Sequence, residues 1–349
     1  MGYTWPDVLT GLIGRENLSV EAASWAMDEI LAGNATAVQM AGFLVALRAK
    51  GETVEEITGL AKSMLERATP IKLERRAVDV VGSGGDRANT VNVSTMAAIV
   101  AAGAGAKVVK HGNRAASSAC GAADCLEGLG VVLNVAPDRQ SEVLDRAGIV
   151  FLFAPLYHPS LRHAATARSE LGIQTPFNFL GPLANPARPS AQAVGIANRP
   201  IAALVAGVLA RRGTHGLVFH GDDGLDELTT TTTSDIWLIS DGIVRATSLD
   251  PAQLGLAPAS KPDLVGGDVA HNAAVVRSVL AGSTGPVRDI VVLNAAAALL
   301  AYAKPDLDQD VTEQLAKHVT VAAEAIDSGA AAAVLDAWVA ATREVTQPA

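Results

Sequence analysis

From residue 78 onward, short β-branched runs alternate with stretches of helical periodicity, and few folds accommodate such a pattern. The runs fall at 78–81, 108–110, 131–133, 149–153, 193–197 and 217–220. Between them lie helical stretches from 95, at 118–129, 137–147, 155–175 and 200–212. Strands separated by helices cannot pair as hairpins. They pair in parallel, with the helices covering both faces of the sheet. The runs at 236–239 and 243–247 break the rule, because only Ser240-Asp241-Gly242 separates them, and they read as a hairpin.

Residues 1–70 have a different texture and read as wholly helical. Ser19 caps the stretch 20–32 and Gly33 closes it, while Gly51 stops the next run. Thr53 and Glu56 form a capping box, and Pro70 ends the last helix. Short helices with one apolar stripe must pack on each other or on a partner chain. The division is a helical domain over 1–70, joined by a helical segment near 155–190, and an α/β domain over 71–349. From 268 to 342 the chain is Ala-rich and mostly helical, with a loop at 282–286. No solenoid period is present.

Composition narrows the function classes. With 49% apolar but only 4% aromatic residues, the core is built from Ala, Val, Leu and Ile. The balance of 27 basic to 36 acidic side chains gives a net charge of -9, which disfavours a broad nucleic-acid surface. The N-terminus lacks the basic and apolar regions of a signal peptide. The apolar runs 96–106 and 290–303 are short for a membrane span and read as core. Cys120 and Cys125 are five apart, neither a redox pair nor a zinc half-site, and on one helix they do not face each other. They read as buried thiols of a reducing, cytoplasmic compartment.

Candidate chemistry clusters after the strands, at the carboxyl edge where open α/β sheets bind ligands. Gly82-Ser83-Gly84-Gly85-Asp86 leads to Asn92-Val93-Ser94-Thr95 at a helix start. Glycines let backbone N–H groups approach an anion, and a helix N-terminus adds free amides. The spacing is neither a Walker A loop nor GxGxxG. Alone, it is equally a capped strand-to-helix turn. Lys110-His111-Gly112-Asn113-Arg114-Ala115-Ala116-Ser117-Ser118 follows the next strand with two cations, an amide and two hydroxyls. Gly221-Asp222-Asp223-Gly224-Leu225-Asp226-Glu227 follows a later strand, and its carboxylates suit a hard cation such as magnesium. A fourth region has Arg162 and Arg168 on a helix leading into 177–186. Arg168 could fork a carboxylate, although a surface arginine is the commoner case. His158 precedes that helix. His163, His215, His220, His271 and His318 lack a supporting cluster. No GxSxG elbow is present.

Taken together these segments resemble the anthranilate phosphoribosyltransferase family. The resemblance rests on Gly82 to Asp86, Asn92 to Thr95, Lys110 to Arg114, Ala123-Asp124, Arg168-Ser169-Glu170-Leu171-Gly172, the run Phe177-Asn178-Phe179-Leu180-Gly181-Pro182-Leu183-Ala184-Asn185-Pro186, and Asp226-Glu227. It implies a small all-helical domain on a large α/β domain, with a mostly parallel sheet of the nucleoside phosphorylase/phosphoribosyltransferase type. It also implies a homodimer formed through the helical part. The implied reaction joins anthranilate to 5-phosphoribosyl 1-diphosphate, releasing pyrophosphate, in tryptophan synthesis.

By the same resemblance, Gly82, Gly85, Asp86, Thr90, Asn92, Val93, Ser94 and Thr95 hold the phosphoribosyl diphosphate. Lys110, His111, Gly112, Asn113, Arg114, Ala115, Ala116, Ser117, Ser118 and Ala122 continue that site. Ser94, Asp226 and Glu227 reach magnesium. Gly82, Asn113 and Arg168 meet anthranilate, with Arg168 at its carboxylate and Lys110, Asn113 and Arg168 serving catalysis. Ser83 stands where the family often has Thr, Ala122 where Ser is common, and Gln174 where Arg is frequent.

The implied chemistry develops negative charge on the leaving pyrophosphate, which magnesium, Lys110 and the loop amides offset. The amine is a weak nucleophile, so positioning outweighs a strong base, and His111 has only weak support as a proton acceptor. Two rivals remain. A pyrimidine nucleoside phosphorylase shares the glycine loop but usually carries a further C-terminal domain and has no need of Arg168. A nucleic-acid-binding relative needs a basic groove and can dispense with the acidic pair.

Overall fold

The computed structural model describes residues 2–115 and 119–347. Four helices come first: α1 (Trp5–Ile13), α2 (Val20–Ala32), α3 (Ala37–Lys50) and α4 (Val54–Glu66). Local chemistry starts each one. The Ser19 hydroxyl accepts from Ala22 N at 3.2 Å. Thr53 and Glu56 exchange the two bonds of a capping box at 2.9 and 3.3 Å. Thr36 and Gln39 form a second box, which the sequence reading missed. Each cap satisfies N–H groups that the first turn leaves without partners.

The rest alternates as β1 (Val78–Gly82), α5 (Val93–Gly103), β2 (Val108–Gly112), α6 (Ala122–Leu129), α7 (Gln140–Ala147), β3 (Ile149–Phe153), α8 (Ala154–Tyr157), α9 (Arg162–Leu171), β4 (Ala191–Gly195), α10 (Arg199–Arg212) and β5 (His215–Gly221). Then come β6 (Ser234–Ser240), β7 (Ile243–Leu249), α11 (Val269–Leu280), α12 (Pro286–Ala303), α13 (Val311–Asp327) and α14 (Ala330–Thr346). The seven strands form one sheet in the order β3-β2-β1-β4-β5-β6-β7. All neighbours from β3 to β5 are parallel, and β6 and β7 add an antiparallel hairpin. Its two-residue turn is Asp241-Gly242, with φ of 50° and 78°. Those values match a type I′ turn, whose twist suits a hairpin.

Side chains alternate between two cores. Val78 and Val80 point to the face packed by α5, α12, α13 and α14, while Val81, Val194 and Val218 point to the face packed by α10. The second core runs without a break into α1 to α4 and α9. The first face includes α12, eighteen residues long and apolar enough to cross a membrane by composition. It is longer than the run at 290–303 suggests, because Pro286 starts it a turn earlier. It packs against α5, α13, β4 and β5 as the central core helix.

Five sequence expectations need correction. Residues 131–133 are not a strand. Val131, Leu133 and Val135 are buried alternately, but β2 is the sole partner of β3, and the segment instead bonds locally and to Thr342 on α14. The helix expected over 155–175 is broken into α8, a 3-10 turn and α9, because Pro159 excludes His158 from helical geometry (φ −124°, ψ 56°). The helices expected from 95 and 118 begin at Val93 and Ala122. Cys120 precedes α6 rather than lying on it, so its thiol does meet that of Cys125. Both are buried, and burial pushes the Cys125 thiol up to about 12.

Candidate active site

Strand order reverses direction at β1, whose two neighbours are β2 and β4. At such a switch point the loops leaving the carboxyl ends diverge and open a crevice. The last residues of the two strands, Gly82 and Gly195, are paired in register. The backbone and carboxylate of Asp226 press into the gap above them. A Cβ at Gly195 would overlap the Asp226 backbone, which closes that position unless the loop moves, and a Cβ at Gly82 would overlap the Asp226 carboxylate and displace it. Gly84 N donates to Asp226 Oδ2 at 2.6 Å, and Ser94 N donates to Glu227 Oε1 at 3.1 Å. The acidic pair thereby joins the glycine loop after β1 to the first turn of α5.

Charge at this point is poorly compensated. Asp226 and Glu227 are buried at 8% exposure each. Burial, with the Asp86 charge, pushes the Asp226 carboxyl up to about 7, and burial with the Asp226 charge raises Glu227 well above the usual carboxylate range. Lys110 is buried too, and its ammonium donates to Val80 O and to Ser94 Oγ, the latter at 3.3 Å. Burial pulls Lys110 down, against the Asp79, Glu227 and Asp226 charges that favour its proton. Two carboxylates and a hydroxyl are hard oxygen donors, and their mutual repulsion fits a site built for a cation. Among the described residues no three His, Cys, Asp or Glu side chains converge to hold a metal alone. Magnesium needs fewer, because it takes one or two carboxylates and completes its shell with water and substrate phosphates.

The loop after β1 has Gly84, Gly85, Arg87 and Asn89 at positive φ. Asp86 accepts from Ala88 N at 3.1 Å, and half-buried Thr90 bridges to Val265. Asn92 is the N-cap of α5, but its side chain turns away, donating to Cys120 O and accepting from Asn272. Val93 is buried core, and Thr95 Oγ1 is buried without a partner among the described residues.

After β2, His111 N donates to Asp79 Oδ1 at 3.1 Å and Nδ1 lies 3.3 Å from Gly181 O. Burial and His158, 5.3 Å away between ring centroids, pull His111 down to about 3. A ring so held neutral is a poor proton acceptor. Gly112 ends the strand against Phe151 and Ala122. Asn113 is exposed and bonds Arg114 N. Arg114 is not free: Asp124 and Glu127 hold it at 2.7 and 2.6 Å, and Asp124 also takes Ala115 N at 3.2 Å. Ala116, Ser117 and Ser118 lie outside the described residues.

A cleft adjoins the glycine loop, between Ser83 and Gly84, Asn198 after β4, and Gln174, Asn178 and Arg48 on the helical side. Asn113 and Arg168 are not in its wall. Arg168 lies over the Phe177 ring at 4.9 Å, next in the chain to Asn178 and Phe179, which do line it. No described carboxylate pairs with Arg168, and burial alone pulls its guanidinium down. The sequence reading missed Gly195, Arg48 and Asp79. Asp79 is wholly buried, pushed up to about 6 by burial, and ties His111 N to Asn185 Nδ2. A lone acid inside a β-branched run was the available signal.

Residues 74–332 match the model described as "Glycosyl transferase family, a/b domain", and residues 6–68 match "Glycosyl transferase family, helical bundle domain". The chain is 58% identical over 339 residues to the anthranilate phosphoribosyltransferase of Nocardioides sp., covering 97% of this chain and 99% of that one. It is 56% identical to that of Arthrobacter sp., covering 98% and 97%. Among solved structures it is similar to anthranilate phosphoribosyltransferase from Thermus thermophilus (TM-score 0.89, 41% identity, 97% and 99% covered). It is also similar to that from Saccharomyces cerevisiae in complex with PRPP and Mg (TM-score 0.87, 26% identity, 97% and 98% covered).

Proposed function

The chain belongs to the anthranilate phosphoribosyltransferase family, and from that premise we propose that its carboxyl-edge crevice transfers the phosphoribosyl group of 5-phosphoribosyl 1-diphosphate to the amine of anthranilate, an early step of tryptophan synthesis. The amine nitrogen bonds to C1 of the ribose, the bond from C1 to the diphosphate oxygen breaks, and the amine loses one proton. The observation that carries the reading is the buried pair Asp226-Glu227, wedged against Gly82 and Gly195 beside Lys110 and the first turn of α5.

The glycine loop with Gly85, Asp86 and Thr90, and the α5 turn with Asn92, Val93, Ser94 and Thr95, receive the diphosphate through backbone amides and hydroxyls. The segment from Lys110 through Ala115, with Ala122, completes that wall, with Arg114 acting through its hold on Asp124 and Glu127. Ser94, Asp226 and Glu227 would hold magnesium, which supplies charge to the leaving diphosphate. Lys110 places a further positive charge at the same edge. Arg168, half-buried and unpaired among the described residues, takes the carboxylate of anthranilate, with Gly82 and Asn113 orienting its ring. Residues 1–70 and the segment near 155–190 act as one body against the rest. The exposed Ile13 and Val38 of α1 and α3 support a homodimer formed through that body, and we place the enzyme in the cytoplasm. No observation favours a nucleoside phosphorylase or a nucleic-acid binder.

The test is the fluorescence of anthranilate mixed with purified protein, 5-phosphoribosyl 1-diphosphate and magnesium. The signal decays only when all four are present. A folded sample that leaves it unchanged overturns the reading.

A further inference from the structure

At the opposite, amino edge of the sheet lies a second cleft, between α2 and α4 on one side and β4 and the end of α10 on the other. Arg75, Arg188 and Arg212 line it, with the Thr214 hydroxyl nearby. Each guanidinium is anchored by one N–H to a backbone carbonyl. Arg75 Nε donates to Arg188 O at 3.3 Å, Arg188 Nη2 to Leu65 O at 3.3 Å, and Arg212 Nη1 to Leu183 O at 2.8 Å. The remaining N–H groups of each fork are available to a ligand, since a guanidinium carries five.

The fold gives these three no countercharge. Their neighbour Arg211 reaches across to Glu55 on α4, but no described carboxylate forms an ion pair with Arg75, Arg188 or Arg212. The acids in the cleft, Glu21 and Glu66, belong to the helical wall, where Glu66 lies 4.0 Å from Lys62. Arg212 is held down to about 10 by burial and by the charge of Arg188 beside it. Arg75 and Arg188 reach solvent while Arg212 is half-buried, and the repulsion between Arg188 and Arg212 is relieved when an anion lies between them. Planar forks suit the bidentate recognition of phosphate or carboxylate.

We propose that this amino-edge cleft binds a small oxyanion, phosphate or carboxylate, between Arg188 and Arg212, as an effector site distinct from the carboxyl-edge crevice. Arg188 is tied to the end of α4 and Arg212 ends α10. A bound oxyanion therefore clamps the helical body to the sheet and alters turnover without touching the reacting groups. Binding of the oxyanion stands apart from the catalytic reading, whereas its effect on turnover rests on it.

Crystals of the full chain soaked in selenate locate the anion by its anomalous signal. Thermal unfolding and turnover are then followed against inorganic phosphate and against citrate, in the wild type, Arg212→Gln and the more exposed Arg188→Gln. The expected result is a peak between Arg188 and Arg212. In either variant the peak is lost and the phosphate affinity read from stabilisation falls about tenfold. A larger response to phosphate than to citrate assigns the ligand as a phosphate, and the reverse assigns a carboxylate. Selenate at the carboxyl edge alone overturns the proposal. So does a peak at the arginines with unaltered responses in both variants, which marks an adventitious ion only. Anthranilate turnover that fails while this peak persists counts against the catalytic reading and leaves the effector site standing.

Discussion

Glu56 and the pair Asp226-Glu227 are all buried acids, yet the fold treats them oppositely. Glu56, at 0% exposure, receives Leu18 N and Thr53 N at 2.9 Å and Lys50 Nζ at 3.0 Å. Three donors converge on its two oxygens, so the charge of Glu56 is closed within the helical bundle. Asp226 and Glu227 accept from Gly84 N and Ser94 N respectively, and both are raised by burial. Closed charge holds a fold together. Open charge weakens the empty protein and is retained where a ligand completes it.

The largest expected effect separates the two cases. The double change Asp226→Asn, Glu227→Gln removes the open charge and leaves the volume. Turnover should fall about a thousandfold or more, while the urea midpoint without magnesium holds or rises at neutral pH. The pH dependence follows from the sign of the shift. The Asp226 carboxyl is raised from 3.8 to about 7, so the native state holds a proton that the unfolded state has released. Stability from this group is full below pH ~4 and is lost as pH rises towards about 7. The wild type should show that decline in the absence of magnesium, and the double variant should not. A variant that unfolds as easily as it loses activity would make the pair structural, and the contrast with Glu56 would collapse.

Glu56→Ala is the converse experiment. It takes the countercharge from Lys50, whose side chain is only 4% exposed and keeps only the neutral acceptors Asn17 Oδ1 and Gly51 O, and it vacates two backbone donors. Breaking a buried pair in this way costs about 3–5 kcal/mol. Turnover per folded molecule should stay near the wild-type value, because the described partners of Glu56 (Leu18, Lys50 and Thr53) do not line the crevice. A loss of kcat at full folding would show that the bundle transmits strain to the sheet edge.

How much of this was legible in the sequence depends on how far each cause reaches along the chain. Caps act over three residues, so the roles of Ser19, Thr53 and Glu56 could be read directly. The strand-helix alternation gave the parallel sheet for the same reason. Residues 131–133 carry the alternation of a strand without becoming one, because pairing depends on which edge lies nearby. Gly82 was singled out as a substrate contact, whereas its packing reason needs the register with Gly195 and the arrival of Asp226 from 144 positions later. No window of sequence holds those three together. Arg114 misled in the other direction: its motif suggested a free cation, and Asp124 and Glu127 of the next helix occupy it.

Arg168 is a third kind of charge, half-buried with no described acid against it, stacked on Phe177. Arg168→Ala should raise the KM for anthranilate by about 10–100-fold, the loss of a charge-assisted contact of about 1.5–3 kcal/mol. The KM for 5-phosphoribosyl 1-diphosphate should barely move. Initial rates at varied concentrations of each substrate separate the two. An equal loss for both substrates would remove Arg168 from the carboxylate and make it a packing residue.

The smallest effect calibrates the rest. Ser19→Ala removes the hydroxyl that accepts from Ala22 N at the start of α2, and nothing else at that cap replaces it from the side chain. The cost should be about 1 kcal/mol, the usual worth of such a cap. Ser19 lies on the same bundle as Glu56, and Leu18, which donates to Glu56 Oε1, is its neighbour. If the two changes are independent, the variant with both is destabilised by their sum. If Ser19 also holds Leu18 N in place for Glu56, the double variant loses less than the sum. Urea unfolding of the two single variants and the double variant decides between these. A sub-additive cycle would mean that the closed charge of the bundle is kept closed by its caps, which is the arrangement that the Asp226-Glu227 edge lacks.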